Sequence, residues 1–200
     1  MAPFNTVCYG TGASTAIASS ADGTVRIYDL RVLNSWDPIQ SLTDATDSVT
    51  CCKVYEHLII TTSLDKSMRT YDVRKGAMSV DTMDIALNNF SIGSSAKTIL
   101  LTCLRGTTLL VDRFEGKILK QYIGNQNKLF KLENSFLLNE SCVAVGSEDG
   151  CVYVWNLMDS KPKLALKHND ITPPIVHTLS SDTLDYLLTA CGGHMFMWSI

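Results

Sequence analysis

The chain has 200 residues, 46% hydrophobic and 18% charged, and 17 Lys and Arg against 20 Asp and Glu give a net charge of −3. That balance supplies no electrostatic drive toward bulk nucleic acid or a membrane surface, and no apolar run approaches the ~18 residues of a membrane-spanning helix. Met1 to Gly10 lacks the basic-then-apolar order of a secretory signal.

Short β-branched and aromatic runs, punctuated by Gly, Asp, Asn and Ser, predict strands joined by tight turns. In chain order they fall at 5–9, 14–20, 24–30 and 39–42, then at 48–55, 58–63, 68–73 and 78–83. They continue at 85–92, 98–103, 107–112 and 118–123, then at 129–136, 142–147, 151–157 and 164–167. The last are 175–179, 186–190 and 195–199. No stretch has the period of an amphipathic helix, and none reads as a low-complexity linker. The sharpest segment is 143–157, VAVGSEDGCVYVWNL, in which Ser147 to Gly150 supply the turn and Gly150 can take positive φ. Neither of its strands has a wholly polar face, so the sheet should be covered on both sides.

That segment repeats. Asp29, Asp72, Asp112, Asn156 and Ser199 end equivalent strands, at successive spacings of 43, 40, 44 and 43 residues. A period near this value, with about four strands per unit, is the signature of β-propeller blades. The units run at about 1–42, 43–83, 84–123, 124–167 and 168–200, read together as one domain.

Here the chain resembles the WD-repeat family. Trp155-Asn156 stands where that family has Trp-Asp; Tyr28-Asp29 and Tyr71-Asp72 are close variants; Val111-Asp112 and Trp198-Ser199 are degenerate. Gly124-Asn125 and Lys167-His168 occupy the slot of the family's Gly-His. The resemblance implies an all-β propeller, here about five four-stranded antiparallel units. Family members most often have seven blades, so a propeller shortened by about two N-terminal blades is the expectation. It also implies a buried tetrad of His, Ser or Thr, Asp and Trp. Ser147, Asp149 and Trp155 match three of its positions, with Asn125 as the fourth. In the last unit only His168 and Trp198 match, because Ala190 and Gly192 stand in the Ser and Asp slots. Within the family, QSLTDATDSV, NQNKLFKLENSFLL and LLTACGGHMFMW resemble the mitogen-activated protein kinase organiser subfamily. That likeness implies a scaffold for kinase-cascade components that is also associated with pre-mRNA splicing, working in the cytoplasm and the nucleus.

The residues offer no catalytic set, no phosphate loop and no cofactor site. His57, His168, His177 and His194 lack metal-ligand spacing, so no metal, cofactor or enzymatic activity is expected. Partners are other proteins, with no sequence-specific nucleic-acid binding and no membrane. The seven cysteines lack any Cys-x-x-Cys spacing and read as buried, reduced thiols. Candidate partner-binding residues lie on turns, where scaffolds carry function: Lys66, Arg105 and Glu148, beside Asp22, on one rim, with the linking loops 44–47, 125–128 and 168–170. Asp29-Leu30-Arg31 and Asp72-Val73-Arg74 resemble the Asp-x-Arg boxes of WD-repeat receptors for cullin ubiquitin ligases. Arg31 and Arg74 would then contact a ligase adaptor; the alternative is an ordinary surface pairing of each Arg with a carboxylate. Trp36 is either an exposed anchor or a cover for its own blade.

Overall fold

The computed structural model describes residues 2–32, 37–168, 177–180 and 186–199. Trp36, the loop residues 169–170 and the first two positions of the strand expected at 175–179 lie outside the described residues. The chain divides into two compact units, 1–88 and 89–200. No helix occurs among the described residues, so the fold is all-β, built of separate antiparallel sheets of three or four strands.

Unit 1 holds two antiparallel sheets. The first contains β1 (Phe4–Tyr9), β2 (Thr15–Ser20), β3 (Val25–Asp29) and β4 (Gln40–Leu42), paired in that order. The second contains β5 (Val49–Tyr55), β6 (Leu58–Ser63), β7 (Ser67–Asp72) and β8 (Ala77–Thr82), again in sequence. Each is an up-and-down meander, in which every strand pairs antiparallel with the next in sequence. Ile17, Val25, Ile27, Val49, Cys52 and Ile59 form a core cluster shared by these two sheets.

The division between units falls inside β9 (Leu87–Ile92), the first strand of a third sheet with β10 (Thr98–Cys103), β11 (Thr107–Asp112) and β12 (Ile118–Ile123). A fourth sheet has β13 (Asn134–Leu137), β14 (Cys142–Gly146), β15 (Cys151–Asn156) and β16 (Leu164–Lys167). The fifth has β17 (His177–Ser180), β18 (Tyr186–Cys191) and β19 (His194–Ser199), three strands among the described residues.

The two-faced strands of 143–157 do what their pattern requires. Val143, Val145 and Trp155 pack with Leu100, Leu110 and Tyr122 on one side. Ala144, Val152 and Val154 pack with Leu137, Leu187 and Cys191 on the other. Alternate residues of one hairpin therefore feed two separate cores, which is how a stack of sheets buries a near-continuous apolar run.

One expected strand is corrected. The segment 129–136 was read as β throughout, but pairing begins only at Asn134. The backbone of 128–130 instead curls around the Glu148 carboxylate, which leaves Leu129 85% exposed.

Candidate functional site

In three sheets the turn between the second and third strands repeats one local device: an Asp accepts the backbone N–H two residues on and meets a polar side chain four residues on. Asp22 Oδ1 accepts from Thr24 N at 3.0 Å, and Asp22 Oδ2 lies 2.5 Å from Arg26 Nη2. Asp65 Oδ1 accepts from Ser67 N at 3.0 Å, and Asp65 Oδ2 from Arg69 Nη2 at 2.8 Å. Asp149 Oδ1 accepts from Cys151 N at 3.1 Å, and Asp149 Oδ2 from the Tyr153 hydroxyl at 2.8 Å. The side chain imitates a backbone turn at one end, while the strand periodicity brings residue i+4 back beside it.

Asp65 is the most enclosed of the three. Its side chain and that of Arg69 are 7% and 8% exposed. Thr46 N also donates to it, at 3.0 Å, so it ties the linking loop to the turn. Burial pushes its carboxyl upward, but Arg69 and the N–H groups of Thr46 and Ser67 outweigh that and hold it at about 2.

A second device closes the turns after the third strands. Asp29, Asp72 and Asp112 each accept backbone N–H groups from the residues two or three further on, including Arg31, Arg74 and Phe114. Arg31 then folds back on Asp29, with Nε to Oδ1 at 2.9 Å and Nη2 to Oδ2 at 2.6 Å. The Arg31 side chain holds the Asp29 carboxyl down at about 2. Arg74 Nη2 lies 2.7 Å from His57 Nδ1. Arg31 is thus paired with a carboxylate inside its own turn, whereas Arg74 lies against an imidazole 17 residues away in sequence.

The tetrad departs from expectation in both sheets. In the fourth sheet Trp155 is fully buried, but among the described residues its Nε1 has no acceptor, and neither Asn125 Nδ2 nor Asn125 Oδ1 has a partner. Ser147 Oγ instead accepts from Gln126 N at 2.8 Å, and Asp149 is engaged by Tyr153. The four residues do not form one network. In the fifth sheet the hydroxyl is supplied by Thr189, not the Ala190 position. Thr189 Oγ1 accepts from Trp198 Nε1 at 2.9 Å and lies 2.8 Å from His168 Nε2. Burial pushes the His168 imidazole downward, toward its neutral form, which can accept the Thr189 proton. The imidazole also stacks on Trp198, centroids 5.6 Å apart.

Register explains the difference. Trp198 pairs with Leu187 and Trp155 with Val143. Two residues along the partner strand stand Thr189 in one sheet and Val145 in the other. An alternating strand puts that residue on the same face as the Trp, so Trp198 finds a hydroxyl where Trp155 finds methyl groups.

The family model described as WD domain, G-beta repeat, matches residues 116–156. That span contains the Ser-Glu-Asp-Gly turn and Trp155-Asn156.

Residues 116–156 are thus similar to a WD repeat.

It is 37% identical over 166 residues to an uncharacterized WD repeat-containing protein of Schizosaccharomyces pombe, covering 82% of this chain and 56% of the relative. It is 31% identical over 163 residues to WD repeat domain-containing protein 83 of Rattus norvegicus, covering 81% and 51%. A Dictyostelium discoideum homolog of that protein is 30% identical over 196 residues, covering 83% and 60%. The chain spans about half the length of the curated relatives it matches.

The candidate binding residues separate into two kinds. Lys66 and Arg105 are exposed, each at a turn position with positive φ, 71° and 68°. No hydrogen bond or ion pair occupies either side chain among the described residues. Their backbones are pinned: Met83 N donates to Lys66 O at 2.8 Å, and Arg105 N to Asn127 O at 2.7 Å. Glu148 faces inward. Its Oε1 accepts from Lys128, Leu129 and Phe130 N at 2.7, 2.6 and 2.9 Å. Burial acts upward on this carboxyl, but those N–H donors outweigh it and hold it below the usual range. Glu148 is a brace for its own loop.

Two features escaped the sequence reading. Glu140 accepts from Ser94 Oγ and Ser95 N at 2.6 and 2.8 Å, joining the first turns of the third and fourth sheets. In unit 1 a cleft of ≈ 280 Å³ is lined by Ile27, Leu42, Ile59, Tyr71, Val73 and Met78 among others. A long sequence separation between partners hides both from local pattern. Among the described residues no group of three or more His, Cys, Asp and Glu side chains is placed to hold a metal ion.

Proposed function

We propose that this WD-repeat chain is a non-catalytic protein-interaction scaffold whose rim turns receive partner proteins. One observation carries the reading: the turns engage their acids internally and leave their cations outward. Asp65 is enclosed by Arg69, Thr46 and Ser67, while its neighbour Lys66 points out. Glu148 is enclosed by the 128–130 loop, while Arg105 is exposed. Backbone positions held by short hydrogen bonds, with cations outside, suit a rigid surface for acidic partner segments. Such repeat frameworks serve extended binding surfaces.

The partners we assign come from the resemblance to the mitogen-activated protein kinase organiser subfamily. They are components of a mitogen-activated kinase cascade, with splicing factors as the second class, in the cytoplasm and nucleus. The alternative reading, a receptor for a cullin-type ubiquitin ligase, draws less support, because Arg31 is paired to Asp29 and Arg74 lies against His57.

Co-precipitation at two salt concentrations tests this. Lys66→Glu with Arg105→Glu should weaken kinase or splicing partners and reduce the salt sensitivity of binding. Arg31→Ala with Arg74→Ala should leave those partners unaffected. Recovery of a ligase adaptor that is lost in the second variant, with neither kinases nor splicing proteins recovered, would sink the scaffold assignment in favour of the receptor.

A further inference from the structure

All seven cysteines are free thiols, but two of them meet. β1 and β5 are neighbours within unit 1 although they belong to different sheets. Cys8 Sγ on β1 lies 3.8 Å from Cys52 Sγ on β5. That is van der Waals contact, about 1.8 Å longer than a disulfide bond. Cys52 is buried in the core cluster, and Cys8 packs against that cluster while partly open to solvent. The approach to the pair is therefore over Cys8.

The surroundings differ at the two sulfurs. Cys52 Sγ accepts from the Thr6 hydroxyl at 3.4 Å, and that same Thr6 Oγ1 accepts from Cys52 N at 2.9 Å. Cys8 Sγ shares a hydrogen bond with Cys52 Sγ in which either sulfur can donate, and Cys52 Sγ also donates toward Ile17 O at 3.6 Å. With Cys8 the main cause, the hydrogen bonds at Cys52 outweigh burial and hold its thiol down at about 7. The hydrogen bond to Cys52, then burial, pushes the Cys8 thiol up.

We propose that Cys8 and Cys52 form a reversible disulfide on exposure to a hydroperoxide, tying β1 covalently to β5. The thiolate of one cysteine of the pair attacks one peroxide oxygen, the O–O bond breaks, and hydroxide leaves and takes up a proton as water. The resulting sulfenic acid is attacked at sulfur by the other cysteine. The S–S bond forms, the S–O bond breaks, and the proton of the attacking thiol leaves with that oxygen as a second water. Two thiols are oxidised and one hydrogen peroxide is reduced to two waters. The partners are 44 residues apart in sequence, so the link closes a long loop in the unfolded chain, and oxidation stabilises unit 1.

The test treats the full chain with one equivalent of hydrogen peroxide, blocks remaining thiols under denaturing conditions, and maps peptides without reductant. The wild-type chain should lose two hydrogens and yield one cross-link between Cys8 and Cys52, reversed by dithiothreitol. Cys51→Ser should keep that cross-link, and Cys8→Ser and Cys52→Ser should each abolish it. The oxidised wild type should melt at least ~4 °C higher than the reduced form. A cross-link that survives Cys52→Ser would assign the partner to Cys51 and overturn the pairing. Wild-type chain whose other thiols oxidise while Cys8 and Cys52 remain alkylatable would overturn the site altogether.

Discussion

Val145→Thr should stabilise this chain, against the usual outcome for a buried valine. Val145 is fully buried and stands where Thr189 serves Trp198 in the fifth sheet. The Trp155 indole N–H is buried without an acceptor among the described residues, which costs about 1–3 kcal/mol. A threonine hydroxyl placed in the same core without a partner would cost about the same. Brought together, they satisfy one another, and the new bond contributes roughly 0.5–1.5 kcal/mol net. The Asn125 carbonyl oxygen, also without a partner, occupies the sequence slot that His168 fills and is the candidate acceptor for the threonine proton. We expect a gain of about 1 kcal/mol, read as a higher urea midpoint at unchanged m-value by circular dichroism. Val143→Thr is the control. Val143 is equally buried but lies directly opposite Trp155 in the ladder, and its hydroxyl should cost about 1–3 kcal/mol. A double-mutant cycle with Trp155→Phe completes the assay, since the threonine should become destabilising once the indole N–H is gone. If Val145→Thr destabilises as much as Val143→Thr while Trp155 is present, the register argument is wrong.

Thr189→Val is the converse change. It strands the Trp198 N–H and the His168 ring together and should cost about 1–3 kcal/mol by urea unfolding. The pH dependence at Asp65 has a definite sign. Its carboxyl lies at about 2 in the folded chain against an ordinary 3.8, so its contribution is full above about pH 4 and is lost as pH falls toward about 2. Melting temperatures of Asp65→Asn should therefore fall less steeply than wild type across that window. Gly106→Ala should be strongly destabilising, by ~2 kcal/mol or more in thermal melts. Its φ is +69°, and a Cβ there would sit 2.0 Å from Asn125 O.

Much of this architecture was legible along the chain. The recurrence near 43 residues, the β-branched alternation and the Asp-Gly turns specify meandering sheets, because strand pairing across a tight turn is a local event with a local sequence code. Strands 58–63, 98–103, 107–112, 118–123 and 164–167 fall where the pattern puts them, and the double-sided apolar run of 143–157 does enter two cores. The turn carboxylates were visible as residue types. Their roles were not. Whether Glu148 faces a partner or its own loop depends on the backbone of 128–130, nearly twenty residues away and curled where alternation suggested a strand. Thr189 escaped notice because the tetrad's hydroxyl was assigned by counting from a turn, whereas cross-strand register, which sets the face of every side chain, places it one residue earlier. The contact of Cys8 with Cys52 has no local sequence signal at all. It exists because two strands from different sheets are pressed together over one apolar cluster. Local pattern determines which residues become strands and turns; only packing between sheets decides which side chains meet, since those encounters are set by long-range burial that no short window of sequence encodes.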